Sequence, residues 1–384
     1  LADDNAESMR IRNFIADTMT CASSGIGDML KCRSIGDGVR NNRVVHQGKL
    51  PYYKALESSV KQNVQSSRGG GATTYINVSD PEIVDLIKAR SVTTAISKRI
   101  GGLDFALSHN TEFRKRVSLN KDWPLFSYHY YTDLFEAMYE SDEKFEQLLY
   151  KHETEIWPKN NFYKVKYLNA RDIIKIHLKE ELETGRAYEF NISEVNRHTS
   201  FKEKIYQSNL CTEIVQPTKG YSSITELYKH EESGEISLCT LSAINVNRIN
   251  FTFKDNGDFF FFILLKYEEC CLYAAKIVDY VIDEMNYPFP QLKFTAQSRR
   301  NMGIGINGLA HLMAKLNLKY SSSEGINFIH KLSELHSFAI HKASLLLAKE
   351  RGICNWAYKT KYSDGWLPID SYNKNIDTYV TDTR

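Results

Sequence analysis

Two short segments hold the residue types best suited to chemistry. One reads Gln207-Ser208-Asn209-Leu210-Cys211-Thr212-Glu213-Ile214, the other Ser237-Leu238-Cys239-Thr240-Leu241-Ser242-Ala243-Ile244-Asn245. A thiol sulfur can act as a nucleophile or a one-electron centre, a carboxylate can take a proton, and an amide can orient a hydroxyl. In an extended chain the side-chain period is two, so Asn209, Cys211 and Glu213 fall on one face and converge on one pocket. On spacing alone a plainer alternative stays open, with Cys211 a small buried hydrophobe and Glu213 an exposed strand residue.

The elements that must position these residues are read from periodicity. Met9, Ile11, Phe14, Ile15 and Met19 recur at helical spacing over residues 5–22, and the Ser-Ser-Gly-Ile-Gly turn of 23–27 follows. A second helical pattern, with Tyr52, Leu56 and Val60 on one face, runs from Pro51 to Gln65 and breaks at Ser66-Ser67-Arg68-Gly69-Gly70-Gly71. That glycine run implies a flexible or closely approached loop. Further helices are expected over 82–99, 131–156, 170–184 and 263–285, with the longest over 324–350, ending at Arg351-Gly352. Strand character marks Leu103 to Leu107, Asn209 to Ile214 and Ile236 to Ile244, and Phe259 to Leu265 reads as a buried strand or a helix start. Strands alternating with helices predict an α/β fold with parallel pairing, in a single large domain.

Composition removes several function classes. The 384 residues are 42% hydrophobic and 25% charged, enough to bury a large core and too apolar for a disordered chain. Lys and Arg number 49 against 47 Asp and Glu, a formal charge of +2 that favours neither nucleic acid nor an anionic membrane as partner. No run approaches the roughly 20 apolar residues of a membrane span. Seven cysteines spread over this length do not make a disulfide scaffold, and none has zinc-ligand spacing, so a reducing, cytoplasmic setting without a metal site is expected. The chain opens at Leu1 with acidic, polar residues unlike a signal peptide, which suggests a start inside a longer protein.

The two cysteine segments, 28 residues apart, closely resemble the large catalytic subunit of aerobic class I ribonucleotide reductases. In that family Ser-Asn-Leu-Cys-x-Glu-Ile is followed by Leu-Cys-x-Leu-Ser-Ala-x-Asn. Ala22 to Gly27 is similar to the family's Arg-Ala-Gly-Ile-Gly turn, and His46 to Lys54 to its His-Thr-Gly-x-Ile-Pro-Phe-Tyr-Lys. Arg68 to Ala72 resembles its Arg-Gly-Gly-Ala-Ala loop, and the stretches at 184–188, 299–306 and 367–372 fit as well.

The resemblance implies a ten-stranded α/β barrel of the ribonucleotide reductase and glycyl-radical type, with Cys211 on a finger loop in its centre. It implies that Cys211 becomes a transient thiyl radical, that Glu213 takes the 3′-hydroxyl proton and that Asn209 bonds the substrate hydroxyls. Cys239 would be one half of a redox dithiol whose other half lies just before the region aligned with Leu1. Ser24, Gly25 and Leu210 would join Asn209, Cys211 and Glu213 in holding substrate. Glu7, Ser8, His46, Gln65 and Arg68 would belong to an effector site and its specificity loop, although Ser66-Ser67 stands where the family has Gly-Gly.

The same resemblance implies partners: a radical-generating small subunit with a dimetal site, nucleoside triphosphate effectors, a thioredoxin- or glutaredoxin-type dithiol, and a homodimer of the complete subunit. Ribonucleoside diphosphates are the favoured substrates. Residues 1–384 would be part of the catalytic barrel, without the family's N-terminal ATP cone, later barrel segment or redox tail; the expectation is a shortened sequence or one fragment of a split subunit. Two alternatives stand beside this reading: a cobalamin-dependent or glycyl-radical enzyme of the same fold, and a non-catalytic nucleotide-binding fragment.

Overall fold

The computed structural model describes residues 1–65, 68–160, 165–249 and 259–371, with the side chains at 64, 65, 68 and 259–265 left aside. Helix α1 (Ala6–Cys21) starts at Asn5, whose side chain accepts a hydrogen bond from the Ser8 amide and so satisfies one of the orphan donors of the first turn. The chain then turns into β1 (Ile26–Met29) and, through α2 (Leu50–Lys61), reaches β2 (Ala72–Asn77). β3 (Asp104–His109) and β4 (Ala187–Asn191) complete one sheet, the latter entered from α3 (Ala170–Thr184) by way of Gly185 at φ 62°.

All three pairings in that sheet are parallel, in the order β1-β2-β3-β4, with Ile26 opposite Ala72, Thr73 opposite Asp104 and Phe105 opposite Ala187. Every residue of β2 and β3 is buried, as expected when both faces of a parallel sheet are covered. The α2 face pointing inward carries Tyr53, Leu56 and Val60. Tyr52, expected on that face, is half-buried and stacks on His46 with ring centroids 5.7 Å apart.

The described residues divide into two compact units, the second comprising Leu238–Tyr287 and Lys293–Tyr358. Inside this second unit β5 (Leu241–Asn245) pairs in parallel with β6 (Gly303–Asn307). The strands are separated in sequence by α4 (Phe259–Glu284), so the segment 259–265 is a helix start. Its partner α5 (Ser323–Arg351) buries Leu332, Leu335, Ala339, Ala343 and Leu347, three or four residues apart, against Tyr267, Cys271 and Ala275. It ends at Gly352, φ 90°, as the sequence led us to expect.

Three expectations are corrected. The helix expected over 82–99 is only Ile83–Ile87 plus a 3₁₀ turn at Lys88–Arg90. The helix expected over 131–156 is broken, because Ser141 caps a new helix at Asp142–Lys151 by accepting a bond from the Lys144 amide. The segment Asn209 to Ile214 is not a strand. It folds as a turn, with Thr212 at φ 66°, so strand periodicity does not place its side chains.

Candidate active site

The turn at 208–214 is built around the Asn209 side chain. Its Oδ1 accepts from the backbone amides of Glu213 (3.2 Å) and Ile214 (3.1 Å), while its Nδ2 donates to Glu213 Oε1 at 2.9 Å. Ser208 Oγ donates to the Ile214 carbonyl at 2.6 Å and closes the loop across its base, where Ser208 bridges to Val215. Asn209 and Glu213 therefore meet, as the residue types suggested. They meet through a turn that bends the chain back on itself, with Cys211 between them in sequence.

The loop rests on the leading ends of β1 and β2. Gln207 Nε2 donates to the Gly27 carbonyl at 2.8 Å, Thr73 Oγ1 to the Leu210 carbonyl at 2.6 Å, and Tyr75 Oη to the Asn209 carbonyl at 2.7 Å. The approach is closest at two glycines, and at Gly27 the obstacle is backbone. A Cβ on Gly25 would stand 2.5 Å from Leu210 Cδ2, and one on Gly27 would stand 2.9 Å from the Asn209 Cα and overlap the Ser208 carbonyl oxygen. The Ser24-Gly25 turn and Leu210 are thus brought together. The Ser24 amide bonds the Met19 carbonyl at 2.9 Å.

Cys211 is exposed, and so is Glu213. The enclosure expected of a radical-bearing thiol is not provided by the described residues. Cys239 is also exposed, in the extended run before β5 and within the second unit. Among the described residues no cysteine is joined in a disulfide. Cys32 and Cys271 are buried, and burial pushes both thiols up to about 12, which keeps them protonated and inert.

The residues assigned to effector binding have individual local partners. Glu7 is exposed and lies 3.7 Å from Arg10. Ser8 is buried in the first turn of α1, where its Oγ accepts from the Asp3 amide at 3.1 Å. His46 accepts from the Gly48 amide at Nδ1, 3.2 Å, and burial lowers its pKa. Gln65 and Arg68 are register partners in a small hairpin, and their side chains lie outside the described residues. Among the described residues no group of three or more His, Cys, Asp or Glu is placed to hold a metal ion.

Sequence reasoning missed Thr73, Tyr75 and Gln207 as supports of the turn. A signal was present: in Ala72-Thr-Thr-Tyr-Ile-Asn77 the residues two apart, Thr73 and Tyr75, share a face and both carry hydroxyls in an otherwise fully buried strand. Lys49 forms a buried ion pair with Asp80, and its backbone amide donates to Glu82 at 2.9 Å. Lys49 occupies the variable position of the His46 to Lys54 motif.

Comparison with known proteins shows the family. A family model described as "Ribonucleotide reductase, barrel domain" matches residues 3–383. The chain is 32% identical over 381 residues to the ribonucleoside-diphosphate reductase subunit alpha of Buchnera aphidicola subsp. Baizongia pistaciae, covering 98% of this chain and 47% of that protein. It is 32% identical over 383 residues to ribonucleoside-diphosphate reductase 1 subunit alpha of Escherichia coli K12, again 98% and 47%. Against the corresponding subunit of Enterobacteria phage T4 the identity is 30% over 360 residues, 92% of this chain and 44% of that one. The chain spans about half the length of the curated relatives it matches. With its cysteine turn seated on a parallel α/β sheet, the chain belongs to the ribonucleotide reductase barrel-domain family.

Proposed function

We propose that this chain carries the radical-cysteine turn of a ribonucleoside-diphosphate reductase alpha subunit and reduces ribonucleoside diphosphates to 2′-deoxyribonucleotides as part of a complete assembly. The observation that carries the reading is the turn itself, where an amide and a carboxylate bond one another at 2.9 Å on either side of an exposed cysteine. A thiol suits the task because its S–H bond is close in strength to a ribose C–H bond, so hydrogen transfer can run in both directions.

In this reading a thiyl radical at Cys211 takes the 3′-hydrogen of the bound nucleotide. Glu213 accepts the 3′-hydroxyl proton as the 2′-hydroxyl leaves as water, and Asn209 orients the hydroxyls with the amide hydrogen it does not give to Glu213. A dithiol gives one proton to the leaving 2′-hydroxyl and, with its two electrons, the hydrogen that C2′ gains, and ends as a disulfide; Glu213 then returns its proton to O3′ and Cys211 its hydrogen to C3′. Cys239 would be one of those thiols. An external thioredoxin- or glutaredoxin-type dithiol would restore the pair, and Ser24, Gly25 and Leu210 would line the substrate.

The finer architecture belongs to the same proposal. β1 to β4 would form part of a ten-stranded barrel, with the 208–214 turn as its finger loop. Further segments of the assembly would enclose Cys211, since a sulfur radical must be kept from water. Glu7, Ser8, His46, Gln65 and Arg68 would serve a nucleoside triphosphate effector. The radical would come from a separate dimetal small subunit, the complete catalytic subunit would pair as a homodimer or with complementary fragments, and the setting would be cytoplasmic. Among the described residues no helix is long and apolar enough to cross a membrane.

Reconstitution tests the proposal. The complete catalytic assembly is mixed with a dithiol and a ribonucleoside diphosphate, then given either a dimetal small subunit or adenosylcobalamin. Deoxynucleotide formed only with the small subunit is the expected result. Turnover with adenosylcobalamin alone would instead place the chain with the cobalamin-dependent reductases, and nucleotide binding without turnover in either mixture would make it a binding fragment.

A further inference from the structure

A turn that presents a reactive sulfur has to be held against its own conformational preference. Thr212, directly after Cys211, sits at φ 66°. That left-handed conformation is a poor one for a β-branched residue, whose Cβ substituents crowd the backbone there. Within the turn the backbone bond from the Thr212 amide to the Asn209 carbonyl is long, 3.4 Å. The internal hydrogen bonds of the turn therefore fix its two ends, at Asn209 and at Glu213 to Ile214, more firmly than its apex.

The apex is met from below by β2. Tyr75 Oη donates its one hydrogen to the Asn209 carbonyl at 2.7 Å and lies 3.2 Å from Thr212 Oγ1, so the Thr212 hydroxyl is free to donate back to the phenol oxygen. Thr73, two residues earlier on the same face, holds the Leu210 carbonyl at 2.6 Å. Both side chains are buried, Tyr75 at 1% exposure and Thr73 at 0%. The Tyr75 ring is itself fixed, edge-on to Phe190 of β4 with centroids 4.9 Å apart. Burial also raises the phenol to about 12, so it remains a neutral donor throughout the physiological range. One buried strand, β2, thus clamps the two carbonyls that immediately precede Cys211.

We propose that Tyr75 is a positioning residue for Cys211: its hydroxyl, with that of Thr73 beside it, fixes the left-handed turn that presents the thiol. Tyr75 acts on the turn through the Asn209 carbonyl and the Thr212 hydroxyl. Its removal should therefore misplace the thiol without weakening the hold on nucleotide. The kinetic part of this inference rests on the reading of Cys211 as the reactive thiol, while the structural part does not.

Tyr75→Phe keeps the ring against Phe190 and deletes only the hydroxyl. In this chain, hydrogen exchange at the amides of Thr212, Glu213 and Ile214 should accelerate about tenfold, while the amides of the β2–β3 ladder keep their protection. In the complete assembly kcat should fall about tenfold or more, with KM within about twofold of the parent. Thr73→Val should act the same way and more weakly, and Thr73→Ser, which restores the hydroxyl, should recover both readouts. Unchanged exchange at 212–214 overturns the proposal whatever happens to kcat, and a change confined to KM overturns it in favour of substrate binding. Should Tyr75→Phe loosen the β2–β3 amides as well, the Val and Ser exchanges at Thr73 decide the matter, and no difference between them counts against it. A parent assembly without reductase activity would sink the proposed function and leave the exchange result to judge this inference alone.

Discussion

Replacing Gly27 by alanine is the sharpest probe of how the Cys211 turn is seated. The added methyl would lie 2.9 Å from the Asn209 Cα, where ordinary contact begins at 3.4 Å, and would overlap the Ser208 carbonyl oxygen more severely. Both obstacles are backbone, so no rotamer change relieves them and the loop must retreat by upward of about 0.5 Å. Overpacking of this kind costs about 1–3 kcal/mol, and a displacement approaching 1 Å at a reacting group costs on the order of 10²-fold in rate. Gly25→Ala is the internal control for stability. Its methyl meets only the Leu210 side chain, whose far end can swing aside while the Cβ, 3.0 Å away, must give by a few tenths of an ångström, so its cost should stay below that of Gly27→Ala. Urea unfolding of both variants gives the stabilities, and deoxynucleotide formation by the complete assembly gives the rates. The reasoning is refuted if Gly27→Ala matches the parent in both, or if the two alanines prove equally stable.

Other consequences follow from buried and networked charge. Lys49→Met strands the Asp80 carboxylate in the interior and removes the positive charge near Glu82, and should destabilise the fold by about 3–5 kcal/mol in urea titrations at neutral pH. Burial, and then Asp80, already raise the Glu82 pKa in the parent. A carboxylate whose folded pKa exceeds its unfolded one binds protons preferentially in the native state, so the deficit of the variant should shrink as pH falls from 7 towards 5. Asp283 has the opposite sign: its bond to Arg300, followed by that to Arg351, holds it at about 2 against an ordinary 3.8. The stabilisation is present above about pH 4 and disappears as pH falls towards 2; solvent screening limits it to about 1 kcal/mol. Arg300→Gln should flatten that part of the stability profile, and an unaltered profile would deny the network its role.

Much of the scaffold is written in local pattern. The α1, α3 and α5 helices carry clear apolar periodicity, and the stops at Gly185 and Gly352 follow from the freedom of glycine at positive φ. The expected helices over 82–99 and 131–156 failed for different reasons. Beyond Arg90 the first lacks the tertiary packing that would sustain a helix, with Val92 and Ile96 left exposed. The second contains a readable cap, Ser141 followed by Asp142 and Glu143, that periodicity alone passes over. At the site, the pairing of Asn209 with Glu213 was legible and its geometry was not. Asn209 and Glu213 do meet, yet through a turn whose left-handed residue is Thr212, a type that gives no warning of positive φ. The seat for that turn, formed by Gly27, Thr73 and Tyr75, lies more than a hundred residues away along the chain, and only folding brings it into contact.

The central claim is that the Cys211 sulfur does the chemistry. The most direct measurement is turnover and nucleotide binding of the complete assembly carrying Cys211→Ser, alongside the parent. A serine hydroxyl fits the same exposed turn but holds its hydrogen too strongly to cycle through a radical. Loss of deoxynucleotide formation with binding within about twofold is the predicted result. Undiminished turnover would contradict the account and return Cys211 to an ordinary surface thiol.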